Sequence, residues 1–203
     1  MAKLISADLT NNKLCILEYT TFGGQMLSFK KDAFDAKIVS HTYTDMGKVI
    51  FDKPITKIGE KAFLFCHSLT SVTIPNSVTT IGEEAFYSCE SLTSVTIPDS
   101  VTTIGEWALY KCTSLTSVTI PDSVTTIGDS AFEDCKGLTS VTIGKSVSEI
   151  GKKAFKECNI DTIVCCPKIP PKIDDSFGKF ENLIVPTGCE EAYANSDWGK
   201  YLE

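Results

Sequence analysis

Nine cysteines and two histidines are the residues of this 203-residue chain that could bind zinc or supply a nucleophile. His41 and His67 are isolated, and no two cysteines have the two-residue separation that is typical of zinc ligands. Neither histidine is placed to activate a cysteine, and the common phosphate-binding, zinc-protease and serine-hydrolase motifs are missing. We therefore expect no metal site, no cofactor and no enzyme activity.

Five of the cysteines recur with a fixed spacing of 23 residues. This column consists of Cys66, Cys89, Cys112, Cys135 and Cys158, and a second column consists of Ile58, Ile81, Ile104, Ile127 and Ile150. A repeat of this length indicates a solenoid, in which each coil packs only against its neighbours. Stacked cysteines point the same way and rarely meet the torsion of a disulfide, so we predict buried free thiols. The redox state of Cys15, Cys165, Cys166 and Cys189 stays open.

Each repeat contains three kinds of segment. Leu92, Val95 and Ile97 form the inward face of a predicted strand. A second extended segment ends at Ile104, just before a glycine. Residues 106–112 then predict a short helical turn, because Ile104, Ala108 and Cys112 have i, i+4 and i+8 spacing.

The N-terminal region is rich in β-forming residues. Residues 14–20 and 25–30 flank the turn signal Gly23-Gly24, and this pattern predicts a β-hairpin. We expect the hairpin to cover the open edge of the first coil, which would otherwise present unpaired backbone groups. Residues 37–44 predict a further strand before the solenoid begins.

The C-terminal region departs from the repeat. Thr187 and Glu190 match the T-x-x-E capping box, which predicts a short helix, and we expect Trp198 and Tyr201 to close the end of the core. The predicted domains are an N-terminal β-rich cap at residues 1–47, the solenoid at residues 48–186 and a C-terminal capping helix at residues 187–203.

The repeat pattern L-T-S-V-T-I-P-x-S-V-T-x-I-G-x-x-A-F-x-x-C resembles the leucine-rich repeat of the BspA-like family of bacterial surface antigens. The resemblance covers about residues 48–186. It implies an α/β solenoid: a right-handed superhelix with a parallel β-sheet on its concave face and short helical turns on the other side. The N-terminal hairpin and the C-terminal helix are expected to cap the two ends.

The same resemblance implies a non-enzymatic, adhesin-like protein that binds host or extracellular-matrix proteins. Residues 1–10 lack the apolar core of a secretory signal, and no apolar run is long enough to span a membrane. The sequence as given predicts a cytoplasmic location, whereas the resemblance implies a secreted protein or one at the cell surface. The sequence leaves the location and the oligomeric state open.

The distribution of charge disfavours nucleic acid as a partner. The net charge is −7, the cations are all lysine, and residues 76–135 carry one lysine against nine carboxylates. Nucleic-acid-binding surfaces usually present a basic stripe that includes arginine. We therefore expect a protein partner.

Hydroxyl side chains alternate with the inward residues of the predicted strands and form one candidate surface. These residues are Ser71, Thr73, Ser94, Thr96, Ser117 and Thr119. Hydroxyl residues also simply suit an exposed sheet, so the rows have a structural explanation. An alternative function is binding of a glycan, or less readily of ice, although the rows lack stacking aromatic residues and ice requires a flat surface.

Aromatic side chains form a second candidate surface in the first three repeats. We predict a protein-binding patch of Phe65, Tyr87, Trp107 and Tyr110, with Trp107 and Tyr110 on one side of the helical turn. Its acidic border consists of Glu83, Glu84, Glu90 and Glu106. The structural alternative is that Trp107 fills the space left where Leu109 replaces phenylalanine, while the tyrosines lie against neighbouring coils.

Overall fold

The computed structural model of the protein describes residues 16–202. These residues wind into six coils, and each coil supplies one strand of two residues. The strands are β1 Ile16–Thr21, β2 Ile38–Tyr43, β3 Gly47–Phe51, β4 Lys57–Ile58, β5 Leu69–Thr73, β6 Thr80–Ile81, β7 Ser94–Thr96, β8 Thr103–Ile104, β9 Ser117–Ile120, β10 Thr126–Ile127, β11 Ser140–Ile143, β12 Glu149–Ile150, β13 Thr162–Cys165, β14 Lys172–Ile173 and β15 Asn182–Ile184. The helix α1, Glu190–Ala194, follows β15, and 3-10 turns lie at Lys31–Ala33 and Gly199–Tyr201. The predicted solenoid is confirmed.

Two parallel sheets run along the coils. The two-residue strands form a six-stranded sheet in the order β4-β6-β8-β10-β12-β14, in which Ile104 lies opposite Ile127. The longer strands β9, β11, β13 and β15 form a second sheet, while β5 and β7 belong to a third sheet with the N-terminal strands. Val141 pairs with Ile163, which is 22 residues further along the chain, so the repeat loses one residue after the fifth cysteine.

The predicted helical turns are wrong, because the segments after the glycines are runs of β-turns. Two residues in each of these segments have positive φ: Lys61 and Phe65, Glu84 and Ser88, Trp107 and Lys111, Ser130 and Asp134, Lys153 and Glu157. A left-handed residue at every fourth position cannot continue a right-handed helix. Alternate N–H groups instead point along the solenoid axis, as where Phe86 donates to the Ala108 carbonyl of the next coil at 2.7 Å.

The core is a set of buried columns, one residue of each per coil. Phe63 stacks on Phe86 with ring centroids 5.1 Å apart, and Phe132 stacks on Phe155 at 5.0 Å. Leu109 is fully buried between these two stacks. Because a coil covers its neighbour on each side, no coil could bury its apolar residues alone.

The cysteine column consists of buried free thiols, as predicted. Four of the five thiols donate to a carbonyl of the preceding coil, as from Cys112 Sγ to the Phe86 carbonyl at 3.4 Å and from Cys135 Sγ to the Leu109 carbonyl at 3.1 Å. The Cys66 thiol, in the first coil, donates to the Ser28 carbonyl at 3.4 Å. These weak hydrogen bonds explain why a thiol suits the column better than an aliphatic side chain. Cys15 lies outside the described residues.

Burial should protect these thiols from alkylation. It raises the pKa of Cys66 to about 11, whereas Cys166 and Cys189 are partly exposed. Since the thiolate is the nucleophile, we expect iodoacetamide at pH 8 to modify Cys166 and Cys189 at least about 100-fold faster than Cys112. Peptide mass spectrometry measures the rates, and denatured protein, in which all sites should react alike, is the control. Equal rates for Cys112 and Cys166 in the folded protein would contradict the buried column.

The predicted N-terminal hairpin is wrong, although a strand from that region does cover the first coil. β1 lies between β3 and β5 and pairs antiparallel with both. Residues 25–30 form no strand, and the Lys30 N–H donates to the Ala62 carbonyl at 3.0 Å. This segment therefore lies against the turns of the first coil, in the place that a preceding coil would take.

Asp35 completes this cap. In later coils the N–H of each equivalent threonine donates to a carbonyl of the preceding coil, whereas the Thr56 N–H donates to Asp35 Oδ1 at 3.0 Å. Partial burial raises the pKa of Asp35, but the hydrogen bonds from the hydroxyl and N–H of Thr56 outweigh it and leave the pKa below its ordinary value. The carboxylate thus replaces a carbonyl that the first coil lacks.

At the other end, residues 189–202 pack over the last coil. Trp198 is fully buried, its ring centroid lies 5.1 Å from that of Phe177, and its indole N–H donates to the Pro171 carbonyl at 2.9 Å. α1 has Cys189 at its N-cap, with no side-chain capping bond. The predicted capping box at Thr187 is therefore wrong.

Candidate functional site

The hydroxyl rows lie on the outward face of β5, β7 and β9. Thr73, Ser94, Thr96, Ser117 and Thr119 are exposed, as the strand alternation predicts. The sixth member, Ser71, is half-buried because the Thr20 hydroxyl of β1 lies 2.6 Å from its own hydroxyl. The N-terminal cap therefore covers one end of this face.

The hydroxyl rows are interrupted between β7 and β9. Within residues 16–202 no backbone ladder joins these two strands, although β5 pairs with β7 and β9 pairs with β11. Val95 is partly exposed at the break, whereas Val72 and Val118 are buried. The hydroxyls on the two sides of the break are thus not held at the regular spacing of a continuous sheet.

Three of the four predicted aromatic residues are in contact and form what we call the aromatic row: Phe65, Tyr87 and Tyr110. The rings of Tyr87 and Tyr110 stack with centroids 4.7 Å apart, and Phe65 meets Tyr87 edge to face at 5.6 Å. Phe65 is 55% exposed, and both tyrosines are partly buried. The row presents a rigid aromatic surface across three coils.

Trp107 does not join the aromatic row. It is partly buried, and among residues 16–202 it makes no ring contact with another aromatic side chain. The expected neighbourhood of Trp107 and Tyr110 assumed a helical turn, in which residues three apart share a side. The left-handed conformation of Trp107, with φ of 51°, removes that relation.

Several of the acidic side chains that were predicted to border the aromatic row have charged neighbours. Glu84 lies 3.4 Å from Lys61 Nζ, and Glu90 lies 4.0 Å from His67 Nδ1. Partial desolvation raises the pKa of Glu106, and the negative charges of Asp129, Glu83 and Glu84 add to this effect. On the third coil, Lys111 Nζ lies 5.4 Å from the Tyr110 ring centroid. The border is therefore mixed in charge.

The two candidate surfaces are separate. The hydroxyl rows belong to the longer strands, and the aromatic row belongs to the turn segments that follow the two-residue strands. A single small contact cannot use both sets of residues at once.

Sequence reasoning missed a third surface, near the C-terminal end. We call it the lysine-rimmed groove: a depression of about 870 Å³ lined by Lys145, Ser146, Val147, Ser148, Val164, Cys165, Cys166, Pro167, Lys168, Ile169, Pro170, Lys172, Ile184, Val185 and Pro186. In the sequence, this groove is indicated by the apolar residue Ile169, which lies among prolines where the repeat becomes irregular. Ile169 is 83% exposed.

In residues 16–202, no group of three or more His, Cys, Asp or Glu side chains is arranged to hold a metal ion. Over the same residues, the chain forms no helix with the length and apolar character of a membrane span.

Comparison with known families gives a match over most of the repeat. A model described as "BspA type Leucine rich repeat region" matches residues 56–183 in six copies. No curated protein matches the chain.

Two solved structures share the fold. A leucine-rich repeat protein of T. pallidum is 24% identical, with a TM-score of 0.57 over 72% of this chain and 81% of that one. The pneumococcal vaccine antigen PcpA is 20% identical, with a TM-score of 0.56 over 68% of this chain. The match covers 36% of the PcpA chain, so this chain corresponds to about a third of that protein.

Proposed function

This chain belongs to the BspA-type leucine-rich repeat family, and on that premise we propose that it is a non-enzymatic module that binds a protein partner. Leucine-rich repeat proteins generally mediate protein interactions, because stacked coils offer an extended surface. In this proposal the strand face is the concave side of a right-handed superhelix.

The proposed role is adhesin-like, with a host or extracellular-matrix protein as the partner. Two considerations support it: the family resemblance, and the fold shared with a pneumococcal protein that is described as a vaccine antigen. The proposal places the protein at the cell surface or outside the cell.

The aromatic row is the observation that carries the proposal. Tyrosine and phenylalanine contribute large contact areas at a small entropic cost, and such residues dominate the energetics of protein interfaces. The stacking of Tyr87 on Tyr110 holds both rings in place before any partner arrives. The hydroxyl rows lack such anchors, so we assign them a supporting role.

A capture experiment tests the role of the row. We expect the intact protein to retain a partner from a panel of immobilised matrix and host-cell-surface proteins. The double variant Tyr87→Ser/Tyr110→Ser should bind that partner at least about 10-fold more weakly, a loss of about 1.4 kcal/mol, because it removes the anchoring rings. Surface plasmon resonance measures the affinity.

The control for this experiment is Phe22→Ser, which changes an aromatic residue that is 79% exposed and lies outside the row. Circular dichroism must show that the variants keep their fold. Trp107→Ser, measured alongside, decides whether the contact extends to Trp107. Equal affinity of the double variant and Phe22→Ser would rule out the aromatic row as the contact.

A further inference from the structure

The outward face of the sheet changes from polar to apolar towards the C-terminus. Thr119 and Thr142 lie side by side on β9 and β11, and the next two residues in the same row are Val164 and Ile184. Ile184 is 52% exposed, although the coils that contain β5, β7, β9 and β11 place a threonine in this row. With the exposed Ile169 on the facing loop, these side chains make the lysine-rimmed groove apolar at its base.

The strand at the edge of this groove has unpaired backbone groups. β15 pairs with β13 on one side, and the Asn182 N–H donates to the Asp161 carbonyl at 2.9 Å. Successive residues of a strand direct their backbone groups to alternate sides, so those of Leu183 and Val185 point away from β13. Within residues 16–202, no backbone hydrogen bond outside the strand ladders involves either residue.

The charge around the groove is positive. The ionic side chains that line it are Lys145, Lys168 and Lys172. Lys145 is paired with Asp122 at 2.8 Å, whereas Lys168 and Lys172 form no ion pair among residues 16–202. Glu149 lies opposite Lys172 in the strand register without reaching ion-pair distance. Two lysines are thus available to a negatively charged ligand.

We propose that the lysine-rimmed groove binds an extended, acidic and aliphatic segment of another protein, which adds to the sheet as a strand beside β15. The free N–H and C=O groups of Leu183 and Val185 pair with the backbone of that segment. Its aliphatic side chains extend the row of Val164 and Ile184, and its carboxylates lie near Lys168 and Lys172. The backbone pairing favours a polypeptide over an anionic lipid, because a lipid cannot pair as a strand with these N–H and C=O groups. This site goes beyond the aromatic row and is independent of it.

Binding is tested on the full chain with a synthetic probe. The probe is a fluorescein-labelled peptide that alternates valine and threonine and ends in two aspartates, and fluorescence anisotropy follows its binding. We expect saturable binding that weakens as salt is added, because exposed charges are screened. A matched peptide that ends in two lysines should bind at least about 10-fold more weakly. A third peptide, N-methylated at alternate amides, should lose a similar factor because it cannot pair as a strand.

Variants of the protein locate the site. Lys168→Glu/Lys172→Glu should weaken binding of the acidic peptide about 10-fold or more. Lys57→Glu is the matched control, since Lys57 occupies the register position of Lys172 in the first coil and lies far from the groove. Tyr87→Ser/Tyr110→Ser should leave probe binding unchanged, so failure of the aromatic row and failure of the groove give different results.

Several outcomes overturn the inference. They are the absence of saturable binding, equal binding of the acidic and basic peptides, undiminished binding of the N-methylated peptide, and equal loss from Lys57→Glu and the groove variant. A fourth arm uses sodium dodecanoate. If dodecanoate competes with the acidic peptide at low concentration and the N-methylated peptide binds normally, the groove accommodates an anionic amphiphile and the proposed strand addition is wrong.

Discussion

Phe155→Ala is expected to destabilise the protein by roughly 3–5 kcal/mol. Phe155 is fully buried between Phe132 and Phe177, with parallel rings at centroid distances of 5.0 and 5.1 Å. The substitution removes both stacks and leaves a cavity that the coils cannot close, because the backbone ladders on each side hold their spacing. Urea unfolding followed by circular dichroism measures the loss.

The effect of Phe155→Ala should reach beyond its own coil. Stability in a solenoid depends on contacts between neighbours, so the coils that follow lose part of their support. Phe65→Ala is the control, since Phe65 is half-exposed and its truncation should cost about 1 kcal/mol or less. Similar losses for the two variants would show that the phenylalanine column does not form the core.

Gly128→Ala is expected to cost about 1–3 kcal/mol, although it adds only a methyl group. A Cβ at position 128 would lie 2.6 Å from the backbone nitrogen of Glu106 and 2.6 Å from the carbonyl carbon of Gly105. These are backbone atoms of the preceding coil, which cannot rotate away. The hydrogen bond from Gly128 N–H to the Ile104 carbonyl, 2.8 Å long, would have to stretch. For a chain of this size the melting temperature should fall by roughly 3–10 °C.

Gly178→Ala is the matched control for the glycine column. A Cβ there would lie 4.0 Å from the nearest atom, so the change introduces no clash. Because alanine restricts the unfolded chain, this variant should be neutral or up to about 1 kcal/mol more stable. A melting temperature of Gly128→Ala that equals that of Gly178→Ala would mean that the coils do not approach as closely as described.

The sequence predicted which positions of each repeat are buried, although it did not predict the conformation of the turn segments. A column of apolar residues such as Ile104 and Ile127 predicts burial, because the same position faces the core in every coil. The caps do not repeat, and there the predictions of the hairpin at residues 25–30 and of the capping box at Thr187 were wrong. Local turn signals such as Gly23-Gly24 cannot reveal that β1 pairs with the distant strands β3 and β5.

The candidate surfaces were predicted only where they depend on columns that repeat from coil to coil. Outward columns on strands follow the two-residue alternation, and Thr96 and Thr119 are exposed as expected. The aromatic row was found from the columns as well, but the position of Trp107 depended on a helix that the turns do not form. Spacing of i and i+4 fits a helix and a β-turn run equally, since both return a side chain inward after four residues.

By itself, the sequence determined that the chain is a solenoid, which residues of each coil are buried and which cysteines form the buried column, because a 23-residue period imposes one environment on each column. Only the tertiary structure decided where the backbone is left unpaired and which outer side chains meet. The break between β7 and β9, the free edge at Val185 and the separation of Trp107 from the aromatic row are of this kind. These features arise where one coil differs from the next. They depend on the distances between coils, which cannot be read from the sequence of a single repeat.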